Sequence, residues 1–331
     1  MMSVAAIPEV RQEQESGNPV TDGILPIDKP TGMTSHDVVD VIRRLYGVRR
    51  VGHTGTLDPA ASGLLLLMLG RATKAAPWLT AQEKTYLASI EFGSTSDSGD
   101  SEGRIAATPD ATPPGRDELA ALISQFVGTI ALAVPDLSAV HTDGRRRYEL
   151  ARLGETPAPV QRDATIHELA LLRYDPPVAE MRVRCSSGTY IRSLASALGS
   201  TAGCGAYLKG LTREQIGRCD LNSAFALKEL NERSTLGEPL PQPRPLGDFL
   251  DLPGIDLSPS GEMAVRHGRP IVARDIVGVD LHVVTGDTVA LRATDRRVIA
   301  IGQAMFNATQ CPGSLPSSGE SLFEYQRVLI G

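Results

Sequence analysis

The chain has 331 residues, of which 41% are hydrophobic and 22% charged, with a net charge of −6, the balance of a soluble globular protein long enough for more than one folding unit. No stretch approaches the ~20 consecutive apolar residues of a membrane span. Cys185, Cys204, Cys219 and Cys311 are widely spaced and form no C-x-x-C pair, which speaks against a zinc site and against a disulfide framework.

In chain order, residues 1–22 carry Glu9, Glu13, Glu15 and Asp22 against one arginine and read as a flexible leader rather than a signal peptide. Order is expected from Gly23. Thr34 and Asp37 have the spacing of a helix N-cap box; Val38, Val41, Ile42 and Leu45 then recur at helical spacing, and Gly47 suits the stop. A loop spans residues 52–63, and Leu64–Leu69 reads as a buried strand or helix. From Lys84 to Phe92 the pattern alternates, with Tyr86, Ala88, Ile90 and Phe92 on one strand face. Ser94–Gly103, rich in Ser, Asp and Gly, reads as a loop. Leu119, Leu122, Ile123 and Phe126 mark an amphipathic helix.

Residues 129–162 are rich in Arg and Pro without clean periodicity, the pattern of an irregular surface lobe. Met181, Val183 and Cys185 form one face of a strand. Ser186-Ser187-Gly188 turns the chain into a helix carrying Ile191, Leu194, Ala195 and Leu198. Strands and helices without a regular βαβ repeat favour an α+β domain with a mixed sheet over residues 23–250. The Pro-rich run 238–245 reads as a stiff linker. Beyond it, in 251–331, short runs (Ile271–Val272, Leu281–Thr285, Thr288–Arg292, Val298–Gly302) predict a small β-barrel.

Charge is unevenly distributed. Residues 75–120 hold eight acids against three bases. Arg43, Arg44, Arg49 and Arg50 cluster without an acid, Arg145, Arg146, Arg147 and Arg152 flank Glu149 alone, and residues 180–219 hold six bases against two acids. Basic segments in an acidic chain are compatible with a shaped RNA groove or with solvated faces.

The segment Gly52-His53-Thr54-Gly55-Thr56-Leu57-Asp58-Pro59-Ala60-Ala61-Ser62-Gly63-Leu64-Leu65 carries the chemical signal. Its three glycines permit tight bends and close approach to another molecule, and Pro59 biases Asp58 toward an extended conformation. From the residues alone, Asp58 is either a nucleophile or general base, or a turn residue bonded to its own backbone. Other motifs fail on detail. No G-K-[ST] follows Gly52–Gly55, as a P-loop requires. Asp97-Ser98-Gly99 has the form of an aspartic-protease triplet but no second copy, no G-x-S-x-G elbow occurs, and His36 and His53 lack metal-ligand spacing.

Gly52–Leu65 closely resembles the G-H-T-G-x-L-D-P-x-A-[ST]-G signature of TruB-type pseudouridine synthases. The resemblance continues at Leu25–Ser35, Lys84-Thr85-Tyr86, Asp97-Ser98-Gly99-Asp100, Ser187-Gly188-Thr189-Tyr190-Ile191-Arg192 and Leu211, over roughly residues 24–250. It implies an isomerase that detaches the uracil at position 55 of the tRNA T-loop, rotates it and rejoins it through C5. By the same resemblance Asp58 is the nucleophile, Arg192 its partner through a charge-assisted fork, and Tyr86 the aromatic stacked on the target base. Tyr190 and Leu211 line the base pocket, and His53 fills the space left by the flipped nucleotide. The implied protein is a cytoplasmic monomer that acts on the tRNA T-arm with no metal or cofactor, no membrane and no obligatory protein partner, and its C-terminal barrel is a PUA-like RNA-binding module. An RNA chaperone and the catalytic subunit of an RNA-guided particle are the rival readings. The family pattern is broken at His141, where a lysine is usual, at Thr212, where an arginine is usual, and by an apparent insertion at residues 306–321.

Overall fold

The computed structural model describes residues 22–135, 141–142, 145–146, 160–308 and 320–330. The leader 1–21, most of the expected lobe with its Ser138–Val140 segment, and residues 309–319 of the apparent insertion lie outside these. For His141 only the backbone is described.

The first elements are β1 (Gly23–Lys29) and α1 (Ser35–Tyr46). Helix α1 starts at the expected box: the Thr34 side chain accepts from the Asp37 amide, and Asp37 accepts from the Thr34 amide. It stops at Gly47, whose φ of 64° is left-handed. A short β2 (Val51–His53) precedes β3 (Ser62–Leu69), so the expected loop is shorter than 52–63 at both ends. Strand β3 is apolar at every position from Leu64 to Leu69 because both of its faces are covered there. Leu64, Leu66 and Met68 join one buried cluster, while Leu65, Leu67 and Leu69 join another against α1.

Next come α2 (Ala76–Thr80) and β4 (Lys84–Phe92), whose buried residues alternate as the pattern predicts. Residues 94–103 are not wholly loop: β5 (Ser94–Ser96) pairs with β6 (Ile105–Ala107), a hairpin of three-residue strands too short to show an alternating pattern. Helix α3 (Arg116–Ser124) follows, with Phe126 packed just beyond its end.

Both ends of the expected irregular lobe belong to the main sheet. Its first residues lie in β7 (Gly128–Ala133), and its last begin the long β10 (Gln161–Asp175). Among the described residues between them is a small backbone pair, β8 (His141–Thr142) with β9 (Arg145–Arg146). Then come β11 (Val178–Cys185), α4 (Ile191–Thr201), β12 (Ala206–Ile216), β13 (Cys219–Asp220), β14 (Phe225–Ala226) and α5 (Leu227–Leu236).

Among the described residues the main sheet has ten strands and runs β14-β1-β3-β12-β4-β11-β10-β7, with β2 on β3 and β13 on β12. It is mixed: β12 is parallel to β3 and antiparallel to β4. Helices α3 and α4 pack Leu119, Leu122, Ile191, Leu194 and Leu198 against β4, β10 and β11. The Pro-rich run is more than a spacer, for Arg244 exchanges backbone hydrogen bonds with Ile24 at 2.9 and 2.8 Å and Tyr46 donates to Pro241 O.

The C-terminal region holds β15 (Gly254–Leu257), α6 (Pro259–Arg266), β16 (Ile276–Val279), β17 (Thr288–Arg292), β18 (Val298–Ala304) and β19 (Phe323–Val328). Two of the four expected strands are found. Ile271 and Val283, taken as strand residues, instead plug the small core from loops. Among the described residues the sheet runs β16-β15-β17-β18-β19 with no pairing between its first and last strands, an open sheet rather than a closed barrel.

Candidate active site

The loop between β2 and β3 is held by buried polar groups on three sides. The Ser35 hydroxyl accepts from the Leu57 amide at 2.8 Å and donates to Leu57 O at 3.2 Å. Lys29, fully buried, donates to Pro30 O, Met33 O and Pro59 O. Arg213, 1% exposed, donates from Nε to Leu64 O at 2.7 Å and from Nη2 to Gly55 O at 3.1 Å, pinning both ends of the segment that carries Asp58. A loop fixed at residues 55, 57, 59 and 64 holds its carboxylate at little further entropic cost.

Asp58 faces a cavity of about 470 Å³ lined by Tyr86, Tyr190, Arg192, Leu211, Lys84 and Arg213, among others. Leu211 and Arg213, two apart on β12, share its face; Tyr86 comes from β4, and Tyr190 and Arg192 from the start of α4. The volume lies within the range of small-ligand sites. Five of the six residues singled out from sequence are thus brought together. His53 is not among the lining residues. It ends β2 beside the loop, and its Nδ1 accepts from the Gly55 amide at 3.3 Å. Burial, with Arg213 and His36 adding to it, lowers its pKa from 6.5, so the imidazole is neutral at pH 7.

Arg192 does not form a fork with Asp58 alone. Its Nε lies 3.1 Å from Asp58 Oδ2, while Nη1 lies 3.4 Å from Asp100 Oδ2 and donates to Ser98 O at 3.1 Å. Asp100 is itself held by the Ser98 hydroxyl and the Glu102 amide. The guanidinium is therefore shared between two carboxylates. Burial raises the Asp58 pKa from 3.8; Arg192 pulls against it and Asp100 adds to it. The Tyr86 phenol is pushed up by burial as well, with Arg213 beside it opposing.

Thr212, where the sequence departs from the family pattern, shares a hydrogen bond of 3.0 Å with Ser62 across the parallel β3–β12 junction. Sequence reasoning missed Asp100, Lys84 and Arg213 as parts of the site. Asp100 and Lys84 lie within segments that carried the resemblance, and the two-residue spacing of Leu211 and Arg213 on a strand was the signal for the third.

Comparison with known proteins gives the family. Residues 43–191 match the family model of the TruB family pseudouridylate synthase N-terminal domain. The chain is 40% identical to tRNA pseudouridine synthase B of Mycobacterium sp. (strain KMS) over 80% of this chain and 89% of that protein. It is 36% identical to the protein of the same name from Syntrophotalea carbinolica over 93% and 97%. In fold it is similar to the solved archaeal box H/ACA sRNP Nop10-Cbf5 complex, with a TM-score of 0.71 at 24% identity, covering 94% of this chain and 87% of that one. By this sequence identity over nearly the whole of those relatives, the chain belongs to the TruB family of pseudouridine synthases.

Proposed function

We propose that the protein converts uridine 55 of the tRNA T-loop to pseudouridine, with Asp58 as nucleophile. The observation that carries this is the pairing of Asp58 with a buried Arg192 at the edge of a cavity walled by Tyr86, Tyr190 and Leu211. The names of its relatives supply the substrate class. A uridine inside a folded T-loop has to leave the stack to reach such a cavity. Tyr86 then stacks on the extruded base, Tyr190 and Leu211 wall its edges, and His53, neutral and outside the cavity, fills the space it leaves. The bond broken and the bond formed belong to one nucleotide, so the reaction calls for no metal or cofactor.

On the same proposal residues 23–250 form the catalytic unit. Arg44 in the last turn of α1 and Arg49 and Arg50 just beyond it, all exposed, follow T-arm phosphates, and residues 251–331 act as a PUA-type RNA-binding module. The protein works in the cytoplasm as a monomer with no obligatory partner. The test is to incubate the pure chain with a bare tRNA transcript and map pseudouridine. Modification at position 55 is expected from the wild type. Asp58→Asn, nearly isosteric, is expected to bind tRNA within a few-fold of wild type with no turnover. Retention of more than a few per cent of the single-turnover rate removes Asp58 as nucleophile, and failure of the pure wild-type chain favours a guided or chaperone role.

A further inference from the structure

One side chain in this cavity has no part in the mechanism above. Lys84 opens β4, is 5% exposed, and lines the same cavity as Asp58 and Tyr86. Two of its ammonium hydrogens go to Thr80 O at 2.5 Å and Gln82 O at 2.7 Å. The third has no acceptor among the described residues, and no carboxylate there forms an ion pair with it. Arg213 lies beside it, likewise without a carboxylate. The two cations meet beneath Gly55, where an added Cβ would stand 3.7 Å from Arg213 Nη1 and 4.0 Å from Lys84 Cε.

Two like charges buried side by side and uncompensated are costly. A structural cap places its hydrogens on carbonyls, as buried Lys29 does on Pro30, Met33 and Pro59, whereas Lys84 keeps one beside the cavity. Such a wall suits an anion that is present only during reaction.

The proposed chemistry supplies that anion by either route open to Asp58. Attack at C1′ breaks the C1′–N1 bond and leaves its electron pair on the ring, spread over N1 and the two carbonyl oxygens. Addition at C6 moves the C5–C6 π pair onto C5 and O4. We infer that Lys84, with Arg213 behind it, is a charge-stabilising residue whose third N–H meets the pyrimidine carbonyl as negative charge develops there, an inference that rests on the pseudouridine-synthase reading of this cavity.

Burial and then Arg213 lower the Lys84 pKa to about 8, with Cys185 opposing. Of the other groups facing it, burial raises Tyr86 above 10.0, Cys185 to about 11 and the Asp58 carboxyl from 3.8, and the Arg192 and Arg213 guanidiniums complete the set. Glu83, its neighbour in sequence, is engaged with Arg184 and His167. Lys84 is charged below its pKa, so the rate should be full below about pH 8 and fall as pH rises through it.

The experiment is the single-turnover rate at saturating enzyme from pH 6.5 to 9.5 on a tRNA transcript, for wild type, Lys84→Met and Lys84→Arg, with tRNA affinity and melting temperature measured at each pH. Pseudouridine formation by the wild type settles the underlying reading first. An alkaline fall in wild-type rate near pH 8, at constant affinity and melting temperature, is then expected. Lys84→Met should lose about 100-fold or more in rate, the typical cost of one charge-stabilising donor, and lose the alkaline fall. Lys84→Arg should recover part of the rate with the fall moved beyond pH 9.5. A wild-type rate flat to pH 9.5 overturns the inference without any variant. So does a folded Lys84→Met protein within about three-fold of wild type, or one whose slow rate keeps the wild-type alkaline fall.

Discussion

Arg192 has to satisfy Asp58 and Asp100 at once, and that geometry decides which replacements it tolerates. A lysine retains the charge but is a single point, unable to reach both carboxylates and Ser98 O from one position. Arg192→Lys is therefore expected to lower the single-turnover rate by roughly 100-fold, the scale of a displacement of about 1 Å at a reacting group, with tRNA affinity kept within a few-fold. Arg192→Gln removes the pull that opposes burial at Asp58. Since the proposed nucleophile acts ionised, the acid arm of its rate profile should move to higher pH than in wild type. Near-wild-type catalysis by the lysine variant, or an unmoved acid arm in the glutamine variant, would show that Asp58 does not depend on this guanidinium.

At the scale of elements, the site depends on the β3–β12 junction, where two parallel strands meet at the end of the Asp58 loop. Gly63 enters β3 with φ of 100°, and an added Cβ would stand 2.4 Å from Arg213 O. Gly63→Ala therefore combines a left-handed backbone with a clash against the strand whose arginine pins the loop. A loss of about 1–3 kcal/mol is expected from backbone strain, read as a lower urea midpoint, together with a slower reaction at saturating tRNA. An unchanged midpoint would mean that β12 moves aside freely. Much of this framework was legible in the sequence. The α1 cap box, the alternation of Tyr86, Ala88, Ile90 and Phe92, and the helix that presents Arg192 are local patterns with local causes. The β5–β6 hairpin and the long β10 were not, because the hairpin strands are three residues long and β10 breaks its alternation with exposed and half-buried positions. Ile271 and Val283 misled in the other direction, since a loop residue that plugs a core has the composition of a strand. The sharing of Arg192 between Asp58 and Asp100 was also invisible, for it depends on three segments meeting in space.

For the whole molecule, the two sheets are not separable at the Pro-rich run. Phe249, Leu250, Ile301 and Leu329 share a buried cluster with Ile24, Leu64, Leu66 and Met68, and Lys74 donates to Val328 O. Removing residues beyond Leu250 would uncover that cluster, so lost RNA binding in a truncated chain could not be told from lost stability. Surface charge offers the cleaner test of the C-terminal region. Of its cationic side chains, Arg292 is bound to Asp256 and Asp280, Arg296 to Asp256, and Arg297 to Asp295. Arg327 on β19 and the segment carrying Arg266, Arg269 and Arg274 are exposed and form no ion pair among the described residues, and the three arginines of that one segment are able to meet phosphates together. Each phosphate contact contributes about 0.7–0.9 to the slope of log affinity against log salt. Replacing all three by alanine should therefore weaken tRNA binding at physiological salt and flatten that slope by as much as about 2–3. The single-turnover rate at saturating enzyme should be unchanged, because none of the three lines the cavity that holds Asp58. Measured affinity and slope equal to wild type would remove this surface from the RNA interface, whereas a lowered saturating rate would mean that the C-terminal sheet acts on the chemistry and not on binding alone.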